Sequence, residues 1–345
     1  MTHSLTCERP PWPLQITVVA CAVLILVMLS YWLLHFQHLS ALVDTDTIAR
    51  LFAAIAVADR GYFDQPDQLQ LGMAGTLLWV SGPLYLALFF TWWKRSPLAL
   101  PLALSVAAIG CYCAAISAWI GVLDGFPGTE RTSSAILLLF LLSAGWFLIH
   151  FSLGVNAVRL WKNTLVPQQS TRDDSYGGSA FERKILIGLL IFFSVIALFI
   201  ELPWLLTSFD LPQLDNLWQQ IWSFYALADR GYYDQVSGFE RGLESFQIFI
   251  TQWPDLLLCW AIPQRKSYAC VLQIIIGSYV AFSTVMYLMA KHLSGYALMP
   301  VHDLGAFLIL YLFNLPWIIG NLYIAAHGAK TMLRQLATGL EGSHD

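Results

Sequence analysis

Charge is what this sequence has least of. Only 12% of its 345 residues are Asp, Glu, Lys or Arg, about half of the roughly 25% that a soluble domain carries. That leaves too little polar surface to face water. Strand-like alternation is also missing from the apolar stretches, so a membrane β-barrel is not expected. The six cysteines have no zinc-ligand spacing with histidine, and all but Cys7 lie in apolar runs, where they read as small core hydrophobes. His35, His38, His150 and His292 do not converge on a metal by spacing. No metal site or cofactor is implied. The net charge of −4 comes with no basic cluster that would suit nucleic acid. Asn-x-Ser/Thr sequons are absent. The first apolar run is flanked by Glu8 and Arg9 rather than by a basic cluster, so no cleavable signal peptide is expected.

Long apolar runs are abundant. Mean hydropathy is +0.62, and a bilayer core about 30 Å thick needs roughly 20 apolar residues of helix. Eight runs qualify, at about 14–36, 69–93, 98–121, 134–158, 184–207, 242–262, 268–290 and 304–327. The expected fold is all-α and integral to the membrane, with eight transmembrane helices. An even number puts both termini on one side. That side carries twelve basic residues, including Lys94, Arg95, Arg159, Arg265 and Lys266, against six on the other. The positive-inside rule then makes both termini cytosolic.

The chain also repeats itself. Ala58–Gln65 reads ADRGYFDQ and Ala228–Gln235 reads ADRGYYDQ, at an offset of 170. Trp146 and Trp317 correspond at an offset of 171. Four runs per copy give two four-helix bundles in parallel orientation. The expected units are residues 1–162, a cytosolic linker at 163–183 rich in polar residues, residues 184–334, and a tail at 335–345. Each ADRGY element lies in a long non-cytosolic loop with amphipathic flanks near 44–56 and 217–227. It reads either as an interfacial helix capped by Asp and Gly or as a ligand contact.

Five segments of the second repeat, in order, resemble the EXPERA superfamily, which includes emopamil-binding protein (the sterol Δ8–Δ7 isomerase), the sigma-2 receptor and the transmembrane-6 superfamily. They are Glu201-Leu-Pro-Trp204, Trp222 to Tyr232, Gly242-Leu-Glu244, Tyr287 to His292 followed by Gly295, and Asn314-Leu-Pro-Trp317. The resemblance covers 184–334 directly, and 14–162 only through the internal repeat. It departs from the isomerase pattern at Ala197, where that pattern has a histidine, and at Pro254, which comes late after Glu244. In the first repeat Ala74 stands where Glu244 would be, Ser143 takes the Asn314 region, and no acid lies near Leu29 to Tyr31. The first repeat therefore reads as a degenerate copy.

The resemblance implies Glu201 and Glu244 as acid–base residues and Trp204, Tyr232, Asn314 and Trp317 as ligand contacts. A carboxylate in a membrane helix costs about 2.5–3.5 kcal/mol at mid-helix. Each acid is therefore either interfacial and in reach of water, or part of a shared polar pocket. Asn314 is either an interhelical hydrogen-bonder or a site residue. His150 reads as a polar helix-packing residue, and Asp255 as a kink partner or interfacial acid. An acid, a base and an indole face suit a reaction that passes through a carbocation, and equally suit binding of a cationic amine. The expected function is binding of a sterol-like or cationic amphiphilic ligand in a cavity of the second repeat. Double-bond isomerisation by Glu201 and Glu244 is the alternative, and small-solute transport a weaker one. The expected partners are membrane lipids or that ligand, in an endoplasmic reticulum-like membrane if the source is eukaryotic.

Overall fold

The computed structural model describes residues 12–55, 63, 66–124, 133–165, 179–208 and 210–341. The first ADRGY copy therefore lies, apart from Phe63, outside the described residues, as does most of the 163–183 linker. Among the described residues the regular structure is entirely helical.

Among the described residues, seven helices are long and apolar enough to cross a membrane. They are α1 (Ile16–His35), α3 (Gln68–Trp93), α4 (Ala99–Asp124), α5 (Ser133–Leu165), α6 (Ala180–Thr207), α9 (Ala269–Leu293) and α10 (Leu304–Glu341). The short helices α2 (Thr47–Ile55) and α7 (Leu217–Tyr225) are the amphipathic flanks. The expected span at 242–262 lies in helix α8, residues 238–261, and falls outside the set of seven. Glu240, Arg241, Glu244, Gln247, Gln252 and Asp255 hold its hydropathy down. The set of seven fits an integral multi-pass membrane protein.

Helix boundaries recur along the chain. An N-cap at Asp67 begins α3, and one at Ser237 begins α8, 170 residues later. Both helices widen into a π turn, at Leu77–Ser81 and Gln247–Thr251. A proline follows each, Pro83 and Pro254, and its missing N–H leaves a carbonyl one turn back to be re-accommodated by the wider turn. Both end in turns with a left-handed arginine, Arg95 at φ 51° and Arg265 at φ 52°. The matching hydrogen bonds are Arg95 N to Trp92 O and Arg265 N to Ile262 O. Helices α1 and α6 also share a π turn, at Ile25–Leu29 and Ala197–Glu201.

The centre of the molecule is the pair α4 and α9, the two most buried spans. They run parallel: Ser105 bonds Ser278 at 2.9 Å, and further along Tyr112 bonds Ser283 at 2.6 Å. Each packs antiparallel against the helix that follows it, as Cys111 Sγ to Phe147 O and the approach of Gly154 to Ala107 show for α4 and α5. The contacts across the centre are reciprocal. Helix α3 lies on α9 and helix α8 lies on α4. At Gly72 in α3 an added Cβ would come within 2.5 Å of Met286 O, so only glycine allows this approach.

The Ser105–Ser278 pair provides a direct check. Two hydroxyls 2.9 Å apart sit close enough for cysteines there to reach disulfide distance, about 2.05 Å between sulfurs. The double variant Ser105→Cys/Ser278→Cys should oxidise within one chain, read by mass spectrometry as a 105–278 linked peptide. Free thiols at both positions after oxidation would contradict the α4–α9 packing.

Candidate functional site

Two groups of polar residues are built on one turn of the chain. The second ADRGY copy begins as α7 ends, and Asp229 caps the next short turn by accepting from Gly231 N at 2.9 Å. Its other oxygen faces Lys291 Nζ at 2.8 Å. Lys291 also bonds Glu240 Oε1 at 2.7 Å and Gln68 Oε1 at 2.7 Å. Tyr287, one turn before Lys291 on α9, donates to Asp229, and Ser237 donates to Glu240. Lys291, Asp229 and Glu240 are all buried. Burial pushes the Asp229 carboxyl above its ordinary range, and the Lys291 ammonium opposes that push. A Cβ on Gly231 would meet Glu240 Oε1 at 2.6 Å, which is why glycine follows Asp-Arg here. Arg230 and Asp234 form an outward pair, and Arg230 holds the Asp234 carboxyl below its ordinary range.

Tyr232 leads from this cluster into a cavity. Its hydroxyl donates to Glu244 Oε1 at 2.6 Å. Glu244 lies one turn beyond Glu240 on α8. Glu201, at the end of the α6 π turn with Pro203 behind it, lines the same cavity as Glu244. Asn314 on α10 donates to Tyr225 OH at 3.1 Å and Leu310 O at 2.7 Å. Trp317 stacks on Phe193, ring centres 4.5 Å apart, which fixes its ring.

Glu201, Tyr232, Glu244, Asn314 and Trp317 all line one cavity of about 540 Å³ between α6, α7 and α10. A smaller adjoining recess of about 70 Å³ adds Gln247, Thr284 and Tyr287. Three buried polar atoms at these walls have no protein partner: Glu201 Oε2, Gln247 Nε2 and Trp222 Nε1. Unpaired buried polar atoms are uncommon and call for water or a ligand.

Trp204 is placed differently from the ligand contact expected of it. It is fully buried, lines neither cavity, and gives its indole N–H to Tyr232 O at 2.8 Å. Its role is to hold Tyr232, because the Pro203 turn directs it into the packed aromatic layer with Trp222. His292 is exposed and bonds Tyr296, and no histidine lines either cavity. Asp255 is buried, with Oδ1 unpartnered, rather than interfacial, because it faces inward from the turn after Pro254. His150 is buried and bonds Trp146 O at 2.8 Å and the Tyr85 hydroxyl, as a helix-packing residue does.

A matching cavity of about 310 Å³ lies in the first repeat. Trp146 stands there for Trp317, Leu29 for Glu201, Leu77 for Gln247, Ala114 for Thr284 and Ser143 for Asn314. The same place is thus apolar in one repeat and acidic in the other. Among the described residues of 12–162, no Asp, Glu, Lys or Arg is buried.

Sequence reading assigns no site role to Lys291, Glu240, Tyr225 and Tyr287, although Tyr225, Tyr287 and Lys291 lie within segments of the resemblance and Lys291 ends an apolar run. No family model, curated protein or solved structure matches this chain.

The buried lysine is the more testable part. Removing one partner of a buried ion pair costs about 3–5 kcal/mol. Lys291→Met should lower the melting temperature in detergent sharply, and adding Asp229→Asn should recover part of the loss. An unchanged melting temperature for Lys291→Met would show that the cluster carries no stability.

Proposed function

We propose that this chain is an eight-span membrane protein of the EXPERA type. Its two four-helix repeats run parallel, with both termini in the cytosol, and its second repeat binds a sterol-like or cationic amphiphilic ligand. The observation that carries this reading is the placing of two carboxyl side chains, Glu201 and Glu244, on the wall of one cavity with Trp317 and Phe313. A carboxylate on the wall of an otherwise apolar cavity is a counter-ion for an ammonium. Trp317 adds an indole, whose attraction for a cation is worth about 2 kcal/mol when desolvated. The apolar walls from Ile196, Ile200 and Phe313 suit a hydrophobic body. The eighth span is residues 238–261, whose boundaries follow those of α3. Of the acids that make it unusually polar, Glu244 lines the site and Glu240 belongs to the ion cluster.

Double-bond isomerisation is the second reading, favoured by the same carboxyl pair. A proton delivered by one acid and removed by the other suits that reaction. Binding ranks first because no histidine lines the cavity and position 197 is alanine. Transport is disfavoured by the absence of buried charge among the described residues of the first repeat.

The test is titration of a labelled lipophilic amine into the purified full chain. Glu244→Gln keeps the size of the side chain and removes its charge, so affinity should fall by about tenfold or more, the effect of removing one partner of a desolvated charge pair. Glu182→Gln, in an exposed pair with Lys330 at the far end of α6, is the control and should leave affinity unchanged. Equal affinities for wild type and both variants would remove Glu244 from the site. Isomerised product from a sterol-like olefin, lost in Glu201→Gln, would favour the second reading.

A further inference from the structure

A different cavity, of about 790 Å³, lies between the two repeats, bounded by α4, α5, α8 and α9. Along α4 it runs from Leu104 to Trp119, about 22 Å at 1.5 Å per residue. That exceeds half of the roughly 30 Å hydrocarbon core, so the cavity is deep enough for one extended acyl chain. Its walls are almost wholly apolar, and the polar side chains that line it are engaged elsewhere. Tyr112 bonds Ser283, Trp119 donates to Ser245 at 2.7 Å, and His150 holds Trp146 O and Tyr85. The interior therefore offers little to a polar ligand beyond the Tyr279 hydroxyl.

Arg159 is the exception. It lies at one end of the cavity, exposed, and has no hydrogen bond or ion pair among the described residues. The antiparallel packing of α4 and α5 sets Arg159 at the end of the molecule where α4 begins. Lys94 and Arg95 precede α4 there, and Arg265 and Lys266 precede the parallel helix α9. A guanidinium at the mouth of an apolar shaft, at the same end of the molecule as further cations, is complementary to an anionic headgroup on a hydrocarbon chain.

We propose that this inter-repeat cavity binds one anionic phospholipid, with an acyl chain along α4 and its phosphate on Arg159. The site is separate from the acidic cavity, and its failure would leave that reading untouched. Cys111 lines the cavity and supplies a reporter.

The experiment is native mass spectrometry of the full chain titrated with phosphatidylglycerol or with phosphatidylcholine of identical acyl chains. The first phosphatidylglycerol should bind about fivefold more tightly, the worth of one basic side chain near an anionic headgroup. Arg159→Gln should abolish the preference while still binding both lipids. Ala115→Trp, which fills the cavity, should remove the first bound lipid of either kind. Wild type alone gives a second readout in case that variant does not fold: phosphatidylglycerol should slow alkylation of Cys111, followed in its own peptide. Equal affinity for the two lipids would overturn the proposal. So would an unchanged Cys111 rate at saturating lipid, which would put the lipid elsewhere.

Discussion

The buried Lys291 ammonium is the interaction on which the rest of this structure depends. It draws together Asp229 from the loop after α7, Glu240 from the start of α8, and Gln68 from the start of α3. Three separate segments are fixed at one point, where none has water to solvate it. Tyr232 follows Asp229 by three residues, Glu244 follows Glu240 by one helical turn, and Tyr287 precedes Lys291 by one turn. Placing the ion cluster therefore places the walls of the acidic cavity. A buried ion pair adds little net stability against an apolar replacement, but it penalises any arrangement in which one charge is left alone. Its effect here is on arrangement: the turn can adopt few other positions without stranding a charge.

The two repeats share a backbone plan and differ in polarity. The π turns, the left-handed arginines and the two N-caps recur. Trp32 and Trp204 are both fully buried beyond the first π turn of their repeats. The polar side chains do not recur: Glu201 has Leu29 opposite it, and Gln247 has Leu77. Glu240 is matched by Gln70, which turns back to cap Asp67 N instead of meeting a lysine. Removing the charges from one repeat removes the need for counter-charges, so the first cavity is closed by packing alone. Two of the charges that make α8 marginal as a membrane span, Glu240 and Glu244, stand in the ion cluster and on the cavity wall.

The legible part of this fold was its helical, membrane-spanning character, because apolar runs are local and set seven of the expected spans. Glu201, Glu244, Asn314 and Trp317, singled out by their order along the chain, line one cavity. Sequence spacing alone does not separate Trp204, which lines neither cavity, from a residue that faces one. Lys291 was missed because its partners lie 51 and 62 residues away, and nothing local marks the pairing. The kink-partner and interfacial readings of Asp255 left its depth open, because that depth depends on the π turn before Pro254, which the sequence only hints at through the proline.

The central claim is that ligand chemistry has been concentrated in the second of two matching cavities. The most direct measurement is photo-crosslinking of the purified full chain with a lipophilic amine carrying a diazirine, followed by peptide mapping. The account predicts adducts on α8 and α10 around Glu244 and Trp317, competed away by unlabelled amine. Competable adducts of equal yield on α3 and α5, around Leu77 and Trp146, would contradict it.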